Sequence, residues 1–199
     1  MLELISQFDA RLFLFFNASL TSPVLDFLMV KITHPQFWIL PGIAGLILYV
    51  RKERKTALLV IGLSLVTVAV SDPVSSQVLK PLFRRLRPCH PDFFIEGGRF
   101  LLGMKRSFSF PSSHSMNMFA QAALLTGFYP RRAVYFFSFA AVIAYSRVYT
   151  GVHFPLDVAG GAVFGIMTGS AVFFTYRLVH RRIVSSSAAK QSIQPISSD

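Results

Sequence analysis

Apolar positions run along most of this chain, and the places where the run breaks define its elements. From Leu2 to Leu20, the residues Leu2, Ile5, Phe8, Leu12, Phe15 and Phe16 recur at helical spacing, with Glu3, Gln7, Asp9 and Arg11 between them. That pattern predicts an amphipathic helix lying at a membrane interface rather than crossing it. Thr21-Ser22-Pro23 then supplies a cap and a proline at the first helical position, so a second short helix starts there. Lys31 and His34-Pro35 interrupt the apolar run that follows. Five further apolar stretches, at roughly 36–50, 56–79, 113–129, 133–149 and 155–178, are candidate membrane spans. The first is short unless it recruits residues before Pro35, and the third and fourth lie near the lower length limit of about 17 residues.

The expected fold is therefore all-α, a polytopic transmembrane helix bundle of five to six spans with an N-terminal amphipathic segment. One membrane-embedded domain covers residues 1–183, with 1–35 as the interfacial segment and 36–183 as the core. The serine-rich stretch 184–199 is expected to be a disordered cytoplasmic tail.

Composition supports a membrane setting: 53% of the 199 residues are hydrophobic, and Phe alone occurs 21 times. The net charge of +11, from 20 Lys and Arg against 9 Asp and Glu, has two sources to choose between. Basic residues either flank spans on the cytoplasmic side or build a site for anions. A nucleic-acid partner would need a basic face on a soluble fold and is not expected. The single cysteine, Cys89, allows no internal disulfide. The start, "MLELISQFDARLF", has early acids and no basic leader, so no cleavable signal is expected.

Short loops give an orientation. "RKERK" at 51–55, "RR" at 131–132 and "HRR" at 180–182 share one side if five spans alternate, and the positive-inside rule makes that side cytoplasmic. The segments 80–112 and 150–154 then face the opposite side. Against this, 80–112 holds Lys80, Arg84, Arg85, Arg87, Arg99, Lys105 and Arg106; an anion site there accounts for the excess. Arg84, Arg85, Arg99, Lys105 and Arg106 are left evenly divided between lipid headgroups and substrate.

Three polar clusters fall on that shared face: "KPLFRRLRP" from Lys80, "PSSH" from Pro111 to His114, and "SRVYTGVHFPLD" from Ser146 to Asp157. Lys80, Arg87 and Arg147 can neutralise phosphoryl oxygens. Ser112 and Ser113 stand at an expected helix N-terminus, which favours an anion. Two histidines, His114 and His153, can divide phosphoryl transfer between attack on phosphorus and protonation of the leaving oxygen. Asp157 follows His153 by four residues and can fix its tautomer. No cluster of carboxylates or of Cys and His marks a metal site on this face, so no metal or cofactor is expected. Asp72, inside the second span, is expected to hold Lys80 or the core in place rather than to catalyse. Gly161, Gly165 and Gly169 are read as close helix packing.

Lys80-x6-Arg87-Pro88, Pro111-Ser112-Ser113-His114 and Ser146-Arg147-x5-His153-x3-Asp157 together resemble the three-part signature of the type 2 phosphatidic acid phosphatase superfamily. The match covers residues 80–157, in order and spacing. The resemblance implies a metal-independent lipid phosphatase acting through a phosphohistidine. It assigns His153 as nucleophile, Asp157 as its partner and His114 as general acid, with Lys80, Arg87, Ser112, Ser113 and Arg147 on the phosphate. One departure is Ser113, where the family has glycine. The expected enzyme sits in a bacterial inner membrane with its site facing outward. The expected substrate is undecaprenyl diphosphate, with phosphatidylglycerol phosphate or lipid A phosphate, and phosphate transfer to another lipid, as alternatives. The motifs are silent on oligomeric state.

Overall fold

The computed structural model describes residues 2–191. Helix α1 (Leu2–Leu14) runs into a π-helical turn at Phe15–Ser19, and α2 (Pro23–Thr33) leaves it at 115°. The Ser22 side chain caps α2 by accepting from Leu25 N at 3.2 Å, as the Ser-Pro signal predicts. After α3 (Pro35–Lys52) comes a rod from Arg54 to Phe83. It consists of α4 (Arg54–Pro73), a π turn at Val74–Leu79 and α5 (Lys80–Phe83). The loop 84–112 contains a small antiparallel hairpin of β1 (Cys89–His90) and β2 (Phe93–Phe94). Helices α6 (Ser113–Phe128), α7 (Ala133–Tyr149) and α8 (Pro155–Gln191) complete the bundle. Of the stretch expected to be a disordered tail, 184–191 continue α8, and 192–199 lie outside the described residues.

Two helical rods among the described residues, Arg54–Phe83 and Pro155–Ser185, are long and apolar enough to cross a membrane. The bent pair Glu3–Ser19 and Pro23–Thr33 makes a third if counted as one broken span. Helices α6 and α7, with 16 and 17 residues, are at or under the length a crossing needs. The chain is a membrane protein: large apolar side chains such as Leu40, Leu48, Leu65, Val163 and Leu178 face outward along α3, α4 and α8.

Helix α1 turns polar side chains into the bundle. Its inward face is Asp9, Phe13 and, in the π turn, Asn17, all fully buried, whereas Leu4, Ile5, Phe8 and Phe15 are exposed. Where the surroundings are lipid, the apolar face has no reason to turn inward, and the polar groups gain partners inside. Asn17 is an example: Nδ2 donates to Arg99 O (2.8 Å) and Tyr149 O (2.7 Å), and Oδ1 accepts from Arg99 N (2.6 Å). One side chain thus pins the 84–112 loop to the end of α7.

Helix α8 lies against α6 along its glycines. A Cβ on Gly161, Gly165 or Gly169 would come within 2.7, 2.3 and 2.0 Å of the carbonyl oxygens of Ser112, Met116 and Ala120. Close packing is the function of that stripe, and it fixes the start of α8 beside the start of α6. At the opposite end of the bundle, Tyr49 and Tyr129 hydroxyls meet at 2.5 Å and tie α3 to the end of α6.

Candidate active site

Four chain segments end at the same level of the bundle: α5, α6, α7 and the turn into α8. Between them opens a cavity of about 850 Å³. Lys80, Arg87, Ser113, His114, Arg147 and His153 line it, so six of the eight residues expected from sequence share one space. Asp157 and Ser112 stand behind that lining. Ser112 N donates to Asp157 O at 3.0 Å, and its buried Oγ has no hydrogen-bond partner among the described residues.

Local structure explains each placement. The π turn gives Lys80 N an i→i+5 bond to Ser75 O and turns Ser75 inward, where its Oγ meets Ser113 Oγ at 2.8 Å. Ser113 and His114 occupy the first turn of α6, where backbone N–H groups lack intrahelical partners and favour an anion. Arg147 is in the last turn of α7, and its guanidinium donates to Thr33 Oγ1 of α2 at 2.5 Å. Gly151, at φ +83, closes the turn that follows; a Cβ there would lie 2.1 Å from Arg99 O.

His153 is 2% exposed and its two ring nitrogens have different partners. Arg87 NH1 lies 2.9 Å from Nε2. Arginine can only donate, so Nε2 accepts and the proton of the neutral ring sits on Nδ1. Nδ1 faces Ser109 Oγ at 3.3 Å and Asp157 Oδ2 at 3.5 Å. Asp157 Oδ2 also accepts from Ser109 Oγ and from Phe154 N, the latter at 2.8 Å. Burial, reinforced by the charges of Arg87, Arg147 and Lys80, pushes the His153 imidazole well below its ordinary pKa of 6.5. Such a ring stays neutral, and its Nε2 lone pair accepts from Arg87, which lines the cavity with it.

Arg85 corrects the sequence reading. Rather than reaching lipid or substrate, it donates to Asp157 Oδ1 (2.9 Å) and to Asp9 Oδ2 (2.5 Å), and stacks 4.3 Å above the Phe154 ring. Asp9 Oδ1 also accepts from Leu156 N at 3.0 Å, at the start of α8. Arg99 likewise turns inward and pairs with Asp26 of α2, which Tyr149 also contacts at 2.6 Å. Sequence reasoning missed Asp9, Arg85 and Ser109 as site residues. No local signal marked Asp9, which is one of several polar residues between the apolar positions of α1. Asp72, expected to hold Lys80 or the core in place, accepts from Asn117 Nδ2 at 3.0 Å between α4 and α6, and both line the cavity. Cys89 and His90 lie in the hairpin, away from the cavity lining. Among the described residues, no three His, Cys, Asp or Glu side chains gather as a metal site.

The opposite wall of the cavity is apolar: Ile32, Pro35, Trp38, Pro41, Phe139 and Ile143. Trp38 is fixed by its Nε1 bond to Ile32 O (2.8 Å) and by edge-on contact with Phe139 at 4.9 Å. Cationic and apolar walls facing each other suit an amphiphile with a phosphorylated head.

Comparison with known proteins gives the same reading. The PAP2 superfamily model matches residues 56–183. A lipid A 4'-phosphatase of Porphyromonas gingivalis is 32% identical over 94% of this chain and 80% of its own length. The crystal structure of Aquifex aeolicus LpxE superposes with a TM-score of 0.63 at 25% identity, covering 81% of this chain and 92% of that one. The transmembrane PAP2-type phosphatidylglycerolphosphate phosphatase of Bacillus subtilis gives 0.58 at 29% identity, covering 90% and 87%. With its three motifs gathered around one cavity, the chain belongs to the PAP2 superfamily and stands among its membrane lipid phosphatases.

Proposed function

We propose that the protein hydrolyses a lipid phosphomonoester through a phosphohistidine at His153. The observation that carries this is the orientation of His153. His153 lines the cavity with Nε2 accepting from Arg87, which is free to turn to a bound phosphoryl oxygen instead, while Nδ1 is turned to Ser109 and Asp157. Lys80, Arg87, Arg147 and the N–H groups of Ser113 and His114 bind the phosphoryl oxygens and stabilise charge on them during transfer. His153 Nε2 attacks phosphorus, the bond to the lipid oxygen breaks, and His114 gives that oxygen a proton. Asp157 stabilises the positive ring that results. Water then attacks the phosphorus, loses a proton to His114, and inorganic phosphate leaves as the N–P bond breaks.

The site is proposed to face outward from a bacterial inner membrane. Supporting this, α5, α6, α7 and α8 all present it at one end, while Arg51, Lys52, Arg131, Arg132, Arg181 and Arg182 lie at the other helix ends. Five spans from α3 onward satisfy that alternation. For substrate, a phosphorylated glycolipid of the lipid A type replaces undecaprenyl diphosphate as the favoured reading. The near full-length match to a lipid A 4'-phosphatase supports it.

Purified protein in detergent, with EDTA present, should release phosphate from lipid A faster than from phosphatidylglycerol phosphate or undecaprenyl diphosphate. Faster release from either rival would overturn the substrate reading. Label recovered in a second lipid instead of in phosphate would mark a transferase.

A further inference from the structure

The geometry points to Asp72 and Asn117 as a subsite that reads the leaving group and selects a hydroxyl- or amide-bearing alcohol over a second phosphate. This rests on the phosphatase reading above and sharpens its substrate class. Asn117 lies one helical turn along α6 from His114, on the same face, and both line the cavity. His114 protonates the departing oxygen, so whatever is attached to that oxygen extends toward Asn117. There it meets Asp72, which projects from α4 and takes the Asn117 Nδ2 hydrogen at 3.0 Å.

The pair is rich in acceptors. Asn117 gives one of its two Nδ2 hydrogens to Asp72, and its buried Oδ1 has no hydrogen-bond partner among the described residues. Asp72 adds a carboxylate. Both groups ask a ligand for donors, and the Asp72 charge repels anions. A carboxylate inside an apolar rod is costly and marks function more often than packing. For a phosphomonoester of a sugar, the atoms beyond the leaving oxygen carry hydroxyl and amide N–H groups, which meet these acceptors. For a diphosphate, the leaving group is itself a phosphate and would be set against Asp72. The cationic cluster of Lys80, Arg87 and Arg147 binds the transferred phosphoryl group in either case, so it cannot discriminate. Asp72 and Asn117 can.

The test compares kcat/KM for lipid A and for undecaprenyl diphosphate in full-length wild type, Asp72→Asn, Asn117→Ala and His153→Ala. Wild type should favour lipid A. Asp72→Asn keeps the size of the side chain and removes its charge, so the preference should fall by at least about tenfold, with hydrolysis of the diphosphate rising. A gain on one substrate is a result that misfolding cannot mimic. Asn117→Ala should lower lipid A turnover by about tenfold without that gain. Equal loss on both substrates in Asp72→Asn, or a wild-type preference for the diphosphate, would overturn the inference while leaving the phosphatase reading intact. Undiminished phosphate release by His153→Ala would overturn the phosphatase reading itself, and this inference with it.

Discussion

Asp9 is fully buried on the first helix, yet it reaches the chemistry through one intermediary: Arg85 bridges it to Asp157, which backs His153. Removing one member of such a chain leaves the others less well held rather than absent. Asp9→Asn should therefore lower kcat by about 10- to 100-fold while KM changes little, because the phosphate ligands are untouched. Steady-state kinetics on the purified variant checks this; a rise in KM at constant kcat would assign Asp9 to binding instead. The pH dependence follows from His153. Its folded pKa lies well below 6.5, so the native ring stays neutral in mildly acid solution while the unfolded chain takes up a proton. Stability from this residue is thus complete above about pH 6.5 and is lost as pH falls toward the folded value. The acid limb of kcat/KM should lie below pH 6.5 for the same reason, and a pH–rate profile would show it. His153, Asp157 and the three cations that line the cavity, Lys80, Arg87 and Arg147, were legible because they fall in motifs of fixed spacing. Asp9 was not, since nothing local tells a buried acid from one on a polar helix face.

At the scale of elements, the glycine stripe of α8 was readable from its four-residue repeat, and the structure gives it a partner in the α6 backbone. A methyl group on Gly169 would lie 2.0 Å from Ala120 O. Gly169→Ala should destabilise the protein by about 1–3 kcal/mol through forced separation of the helices. Gly62→Ala, where a Cβ meets nothing within 4 Å, provides the control and should hold or raise stability. Thermal midpoints in detergent would separate the two. The π turn at Val74–Leu79 was not legible, because about one extra residue in a single turn leaves no mark on the spacing of so short a stretch. The periodicity of helix α1 was readable, but not that its polar residues Asp9 and Asn17 would be buried against the bundle.

Over the whole molecule, the bundle serves to bring three motifs, spread from residue 80 to residue 157, to one end of four helix segments. The N-terminal third contributes more than an anchor. Thr33 holds Arg147, Asp26 holds Arg99, Asp9 holds Arg85, and Trp38 builds the apolar wall. Truncating that third would dismantle the site from behind. Those contacts join positions far apart in sequence through single hydrogen bonds, and they have no periodic or spaced signature to read. Helix count was readable from apolar runs, but the length of α6 and α7 leaves the number of crossings to the surrounding bilayer. The most direct test of the central claim is to trap the phosphoenzyme. Rapid acid-free quenching with lipid A labelled at its phosphate should give alkali-stable, acid-labile label on the peptide containing His153, and none in His153→Ala. Covalent label on another residue, or full turnover by His153→Ala, would contradict the account.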